Sequence, residues 1–311
     1  MKALIIGLGS IARKHISALR SLVPDIEIYA LRSSRGGTSV EGVTDLFEPF
    51  DIGNDFDFAI ISNPTSCHAE TLQRLADDTS FPLFIEKPVV DSVAHRGLID
   101  RLSASGRLTY VACNLRFLEC IEFVRNYIQN NPEARINEVN VYCGSYLPDW
   151  RPGTDYHHSY SAIPELGGGV NIDLIHDIDY VCHIFGPPVK SRGLCSSRSS
   201  LGIRAVDYAN YVLIYPGFIA SIVLDYFRRD YKRTLEILFE DSTWTVDLAE
   251  NKITDHHGKT IFESRRRIAD TYLTQMKYFL KTVNEGTRPE NDAKEAFEVL
   301  KICLNYERLD Q

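Results

Sequence analysis

Residues 2–22 restrict what this chain can fold into more than any other stretch. Lys2–Ile6 is a short apolar run of the kind that forms a buried parallel strand, Gly7-Leu8-Gly9-Ser10-Ile11-Ala12 interrupts it, and Ile11–Leu22 carries apolar residues at helical spacing before Pro24. Strand, glycine turn and helix in that order give the GxGxxA pattern a mechanical meaning. Gly7 permits the tight turn, and Gly9 lets backbone N–H groups approach a pyrophosphate at the positive end of the helix that Ser10 and Ile11 open. Ala12 allows that helix to pack closely on the strand. The segment therefore predicts a dinucleotide-binding βαβ unit.

The next elements repeat the alternation. Ile26–Leu31, Phe56–Ser62 and Leu83–Ile85 read as strands, with a helix after His68, which predicts a parallel sheet covered on both faces. After about residue 115 the pattern changes. A helical Glu119–Asn130 leads into longer strands at Asn137–Tyr146, Tyr208–Tyr215, Ile219–Phe227, Thr234–Phe239 and Thr243–Leu248, separated by turn sequences such as Tyr215-Pro216-Gly217. The tail is helical again: Leu273, Met276, Leu280 and Val283 share a face, and Asp292 caps a last helix carrying Ala296, Leu300 and Cys303. The expected fold class is α/β: a Rossmann domain over 1–115, then an α+β domain over 116–311 with a large, open, mainly antiparallel sheet. The last helices have the option of packing back toward the first domain.

Composition narrows the partners. A net charge of -8 argues against nucleic acid or an anionic membrane as the main partner, and a small soluble substrate fits better. Residues 1–12 imitate a signal peptide, but Gly7 and Gly9 break the apolar run, and no stretch approaches the ~20 apolar residues of a membrane span. With seven cysteines and no CxxC pair, the chain reads as cytoplasmic, its thiols reduced. His157, His158, Asp173, His176, Asp177 and His183 crowd one window, yet their spacing matches no zinc pattern, and no metal is expected. Asp225–Arg233 interleaves aromatic and basic residues and is expected on one face of the second sheet, serving an oligomer interface or a phosphate.

The cofactor is a nicotinamide dinucleotide in this reading, and its type is set at the end of the second strand. An NAD site usually places an acid there for the ribose 2′-OH, whereas this strand ends Ala30-Leu31-Arg32-Ser33-Ser34-Arg35. Arg32, Ser33 and Arg35 suit a 2′-phosphate instead, so NADP(H) is expected in preference to NAD(H).

Glu86-Lys87-Pro88 follows the strand Leu83–Ile85, which puts Lys87 at the carboxyl end of the sheet, where it can exchange a proton with a hydroxyl or carbonyl. Asn114-Leu115-Arg116-Phe117 and the run Gly167-Gly168-Gly169 through Asp173 to His176 follow downstream. With these motifs in this order the chain resembles the Gfo/Idh/MocA family, the glucose–fructose oxidoreductase and inositol dehydrogenase group, over essentially its whole length. The resemblance implies hydride transfer between a nicotinamide and a sugar or polyol held between two domains. It further implies that Lys87 is the acid/base or substrate-orienting residue, Asp173 the active-site aspartate and His176 a proton relay, while Ser62, Asn63, Pro64 and His68 border the nicotinamide ribose and Glu86 and Asn114 touch the cofactor side.

One departure stands out. The family's usual spacing is D-x-x-x-H, but here His176 lies three residues after Asp173 and Asp177 lies four after it. On a helix both face the same way, so either fills the role; His176 is preferred because imidazole titrates near neutrality and a second carboxylate would repel the first. Arg116, Trp150, Arg151, Tyr160 and Asp177 are the expected substrate contacts, since aromatic faces pack on sugar C–H surfaces and Arg pairs with a carboxylate or phosphate. Leu147–Pro152 and Asp155–Tyr160 resemble a branch associated with bacterial surface-sugar pathways. The expected function is thus an NAD(P)-dependent oxidoreductase of a sugar, sugar nucleotide or sugar acid, with a free polyol such as an inositol as alternative substrate. The rival is a non-catalytic NADP(H)-binding sensor, which a fingerprint by itself does not exclude. A homodimer or homotetramer through the carboxy-terminal sheet is expected.

Overall fold

The computed structural model describes residues 1–36, 38–47, 53 and 55–310. The chain divides into two units, Met1–Ala112 with Tyr272–Glu298, and Cys113–Thr271 with Val299–Gln311. The division falls three residues before the boundary drawn from the sequence and counts 272–298 with the first unit.

The first unit is a six-stranded parallel sheet of β1 (Lys2–Ile6), β2 (Glu27–Leu31), β3 (Val43–Leu46), β4 (Phe58–Ile61), β5 (Leu83–Ile85) and β6 (Thr109–Val111). Its order is β3-β2-β1-β4-β5-β6, the doubly wound arrangement, with α1 (Ser10–Leu22), α2 (His68–Asp78) and α3 (Arg96–Ala104) as connections. β4 and β5, and β1 after Lys2, are apolar at every position because both faces are covered; Ala3, Leu4, Ile5 and all of β4 and β5 are buried. Strand order reverses at β1 and β4, the place where such sheets receive a nucleotide. α7 (Thr271–Glu285) joins this unit through Phe279, whose ring lies edge-on to Phe58 at 5.3 Å and to Phe84 at 5.2 Å. Its buried apolar residues are Met276, Phe279 and Leu280, while Leu273 is 43% exposed, so the apolar face is rotated from the one expected. Asn291 Nδ2 donates to Val111 O at 2.7 Å, tying the following turn to β6.

The second unit carries a nine-stranded sheet: β7 (Ile136–Tyr146), β8 (Lys190–Ser196), β9 (Tyr208–Ile214), β10 (Ile219–Asp225), β11 (Phe227–Phe239), β12 (Thr243–Asp247), β13 (Lys252–Asp255), β14 (Thr260–Glu263) and β15 (Tyr306–Arg308). The order is β14-β13-β12-β11-β7-β10-β9-β8-β15; β7–β10 and β8–β15 are parallel and the other pairs antiparallel. β11 begins seven residues earlier than the sequence pattern suggests, because its pairing with β7 shifts register between Phe227 and Lys232. Alternate residues such as Val139, Val141, Cys143, Ile222 and Leu224 are buried, and α4 (Glu119–Asn130), α5 (Val170–Asp173) and α6 (Ile175–Phe185) supply the buried partners Ile121, Val124, Ile178 and Tyr180. The opposite set includes Ile214, Ile219 and Phe227, which are exposed. α8 (Ala293–Leu304) starts as anticipated, with the Glu295 N–H donating to Asp292 Oδ1 at 2.9 Å. All seven cysteines are free, and among the described residues no helix is long and apolar enough to cross a membrane.

Candidate active site

In the first unit the glycine turn has the shape a pyrophosphate needs. Gly7 sits at φ +86°, and a Cβ there would meet Asn63 Cα and N at 2.7 Å, so both the turn and the contact between the ends of β1 and β4 require glycine. A Cβ on Gly9 would meet nothing within 4 Å, and α1 starts there with no side-chain cap and no acid in its first turn. The N–H groups at Ser10, Ile11 and Ala12 thus open a helix end that no side chain satisfies, which is the donor set an anion completes. Asn63 Oδ1 adds a buried acceptor with no partner among the described residues. These groups fit a bound dinucleotide.

The flanking motif residues mostly brace that turn. Ser62 Oγ donates to Gly7 O at 2.9 Å, and Asn63 Nδ2 donates to Thr71 Oγ1 at 2.9 Å. His68 corrects the sequence reading: it is fully buried, its Nδ1 2.9 Å from Pro88 O and its Nε2 3.1 Å from Asn63 O. Burial pushes its pKa down, and the ring joins the segment after β4 to the Lys87-Pro88 turn, with no face left for a ribose. Glu86 is also drawn inward, accepting from Nε2 of the fully buried His15 of α1 at 2.5 Å. Pro64 leads into the short helical turn before α2. Lys87 is half-buried immediately after β5, at the carboxyl end of the sheet, and its peptide bond to Pro88 is cis.

Beyond β2, Ser33 and Arg35 are exposed, and the Arg35 guanidinium lies 5.0 Å from the centre of the Phe47 ring. Arg32 differs from expectation: its Nη1 is 2.6 Å from Asp45 Oδ2 on β3, a strand the sequence reading did not register.

In the second unit the site is built around Asp173 at the end of α5. Gly168 permits it, since a Cβ there would overlap Tyr160 O at 2.0 Å; only glycine lets the 156–166 loop close on the helix. Tyr160 donates its hydroxyl to Asp173 Oδ1, and Tyr226, fully buried just after β10, donates to Oδ2 at 2.6 Å. Burial and the Asp173 charge push both phenols up, so they remain protonated donors. Tyr160 is nevertheless 38% exposed, with the Arg151 guanidinium 5.4 Å from its ring centre. Trp150 stands edge-on to Tyr226 at 5.3 Å and donates Nε1–H to Ser145 Oγ at 3.0 Å. Beside them Leu147, Pro148, Trp150, Arg151, Tyr156 and Ser161 line a shallow depression. Its aromatic walls and the Arg151 cation suit a polyhydroxylated ligand, and the buried Asp173 carboxylate lies behind Tyr160 and Tyr226.

Two expected substrate contacts are corrected. Asp177 has no exposure and accepts from Arg233 Nε at 3.0 Å and from Arg233 Nη2. Arg116 is buried and donates from Nε and Nη2 to Asp179 at 2.8 and 2.7 Å. Both groups are spent on ion pairs. The shared-face argument fails because the helix is not continuous: Leu174, at φ -100° and ψ 23°, separates α5 from α6, so Asp173 and Asp177 diverge. His176 lies half-buried in the first turn of α6. Asn114 donates its side-chain N–H to Thr271 Oγ1 at 2.7 Å. Tyr226 and Asp45 went unread in the sequence: a tyrosine after an apolar strand looks like core, and β3 is short and mostly polar.

Residues 122–245 match the GFO/IDH/MocA C-terminal domain. The chain is 24% identical to a myo-inositol 2-dehydrogenase of Thermotoga maritima over 314 positions, covering 93% of this chain and 90% of that protein. Its fold matches a levoglucosan dehydrogenase solved with NADH and levoglucosan (TM-score 0.81, 14% identity, 97% of this chain and 95% of that one). It also matches a UDP-N-acetylglucosamine 3-dehydrogenase of Acidithiobacillus ferrooxidans (TM-score 0.77, 17% identity, 98% and 96%). With a match to that carboxy-terminal domain following a doubly wound nucleotide-binding sheet, and the motifs in their expected order, the chain is similar to the Gfo/Idh/MocA family in both halves.

Proposed function

We propose that the chain is an NAD(P)-dependent oxidoreductase that interconverts a hydroxyl and a carbonyl on a sugar, sugar nucleotide or sugar acid. The observation that carries this reading is Asp173 held on both oxygens by phenol hydroxyls beside a depression with tryptophan, tyrosine and arginine walls. The myo-inositol and UDP-sugar dehydrogenases among its likenesses support the substrate class. When bound, the nicotinamide supplies the hydride acceptor or donor. In the oxidative direction the substrate carbon loses hydride, its O–H bond breaks, and Lys87 takes the proton; in the reductive direction Lys87 returns it. Asp173 accepts a hydrogen bond from a substrate hydroxyl, Tyr160 and Tyr226 fix its orientation, and His176 takes part in positioning.

NADP(H) is the preferred cofactor in this proposal, through Arg32, Ser33 and Arg35. The protein works in the cytoplasm, in the making of surface glycans, as a homodimer or homotetramer whose contact is the sheet face carrying Ile214, Ile219 and Phe227. The test is titration with NADPH and NADH, then turnover with a panel of sugar nucleotides, free sugars, polyols and sugar acids. Lys87→Ala should lower turnover about 10²–10⁴-fold with cofactor affinity unchanged. Unchanged turnover would remove Lys87 from the reaction, and tight cofactor binding without turnover anywhere would favour a sensor.

A further inference from the structure

The strand end that receives the adenine ribose in a doubly wound sheet carries an arginine here, and the structure shows that this arginine is not a free cation. Arg32 follows β2, and its N–H donates to Leu46 O at 2.9 Å, so β2 and β3 end side by side. In that register Asp45 lies opposite Ala30, two residues before Arg32 and on the same face of the sheet. The small Ala30 leaves room above it, and Arg32 Nη1 closes on Asp45 Oδ2 at 2.6 Å; the two side chains are 9% and 20% exposed. Asp45 Oδ1 is buried and has no partner among the described residues.

We infer that Asp45 is a specificity-determining residue of the dinucleotide site: it supplies, from the neighbouring strand, the acid missing from the end of β2, and so limits the preference for the phosphorylated cofactor. This rests on the nicotinamide reading above and extends it. A ribose 2′-hydroxyl is a donor, and a carboxylate with a spare oxygen is its natural acceptor. A 2′-phosphate carries about -1.5 to -2 charge; the guanidinium attracts it and the carboxylate beside the guanidinium repels it. With Arg32 and Asp45 paired, each cofactor meets one favourable partner and one that is half-neutralised. The site takes both, with NADPH ahead of NADH by no more than about tenfold.

The experiment is calorimetric titration of NADPH and NADH into the wild type, Asp45→Asn and Arg32→Gln/Asp45→Asn. Asp45→Asn keeps size and an acceptor for Arg32 while removing the charge. It should tighten NADPH and weaken NADH, raising the ratio of affinities by roughly tenfold or more. The double variant removes both charges without leaving either buried alone, and should bring the two cofactors to within about threefold of each other. An unchanged ratio in Asp45→Asn, or equal weakening of both cofactors, would overturn the inference while leaving the nicotinamide reading intact. Failure of the wild type to bind either cofactor would sink that reading, and this inference with it.

Discussion

Replacing Asp177 with Asn separates a structural role from a chemical one. The residue occupies the position where the family's usual spacing puts a histidine, so its loss would be expected to cost activity if it served the substrate. Its surroundings say otherwise. Both carboxylate oxygens face the Arg233 guanidinium, Asp177 is wholly buried, and the Arg233 side chain is 8% exposed. Breaking a buried pair from one side costs about 3–5 kcal/mol, because the surviving charge stays out of water without compensation. Urea slopes of about 2–3 kcal/mol per molar then place the loss in midpoint at roughly 1–2.5 M. Both tryptophans, Trp150 and Trp244, belong to the second unit, so their emission follows the unit in which the pair sits. The companion Asp177→Leu/Arg233→Met replaces both charges with apolar side chains and should recover most of the midpoint, since such swaps are often neutral or stabilising. Below the transition the substrate KM of Asp177→Asn should stay within about threefold of wild type, less than the roughly tenfold that loss of a single hydrogen bond to a charged group produces. An unshifted midpoint with a large rise in KM would refute the argument and return Asp177 to the substrate.

Tyr226→Phe deletes one of the two donors that hold Asp173. A hydrogen bond to a charged group is worth about 1.5–3 kcal/mol, so kcat/KM should fall roughly 10–100-fold while cofactor affinity is unchanged, as steady-state rates and titration would show. Burial, helped by the positive Arg116 and Arg125, lowers the pKa of His183 to about 3, against about 6.5 in the unfolded chain. Between those values the unfolded state binds the extra proton, so stability of the second unit is lost as pH falls from about 6.5 toward 3. His183→Asn should flatten that decline in urea midpoints followed by tryptophan emission; an equally steep decline would assign it to other groups.

How legible the molecule is in its sequence depends on whether the reason for a residue is local. The β1–α1 turn is entirely local, and Gly7, Gly9 and Ala12 are found where the pattern puts them. The helix Glu119–Asn130 and the strand Leu83–Ile85 match to the residue. β3, β13 and β14 are missed because their four-residue segments are short, hold few apolar side chains and acquire their conformation from ladder bonds to adjoining strands. The site shows the same division. Asp173 is marked by its glycine run, but its two clamps are 13 residues before it and 53 after it, and the distinction between a clamp and a core tyrosine is a matter of three-dimensional partners. His68 was misjudged for the same reason: the motif shows that a histidine is needed, and only the structure shows that both its nitrogens face main-chain carbonyls.

The polar residues of the α5–α6 segment explain how the site manages without a histidine four residues after Asp173. Asp177 pairs with Arg233 on β11, and Asp179 with Arg116 on the turn Asn114–Phe117, so α6 is held from two sides by buried, bidentate contacts. Buried ion pairs contribute little net stability against well-packed apolar residues, but each tolerates few alternative geometries. The break at Leu174 ends α5 before α6 begins, and Asp173, the last residue of α5, stands against Tyr160 and Tyr226. A carboxylate gripped by two phenols that stay protonated is a fixed acceptor, since each of its oxygens already takes a strong donor. In the proposed reaction proton exchange belongs to Lys87, the half-buried residue at the carboxyl end of β5, and Asp173 orients the substrate. On that proposal no proton has to pass through the position four residues after the aspartate, where Asp177 is buried against Arg233.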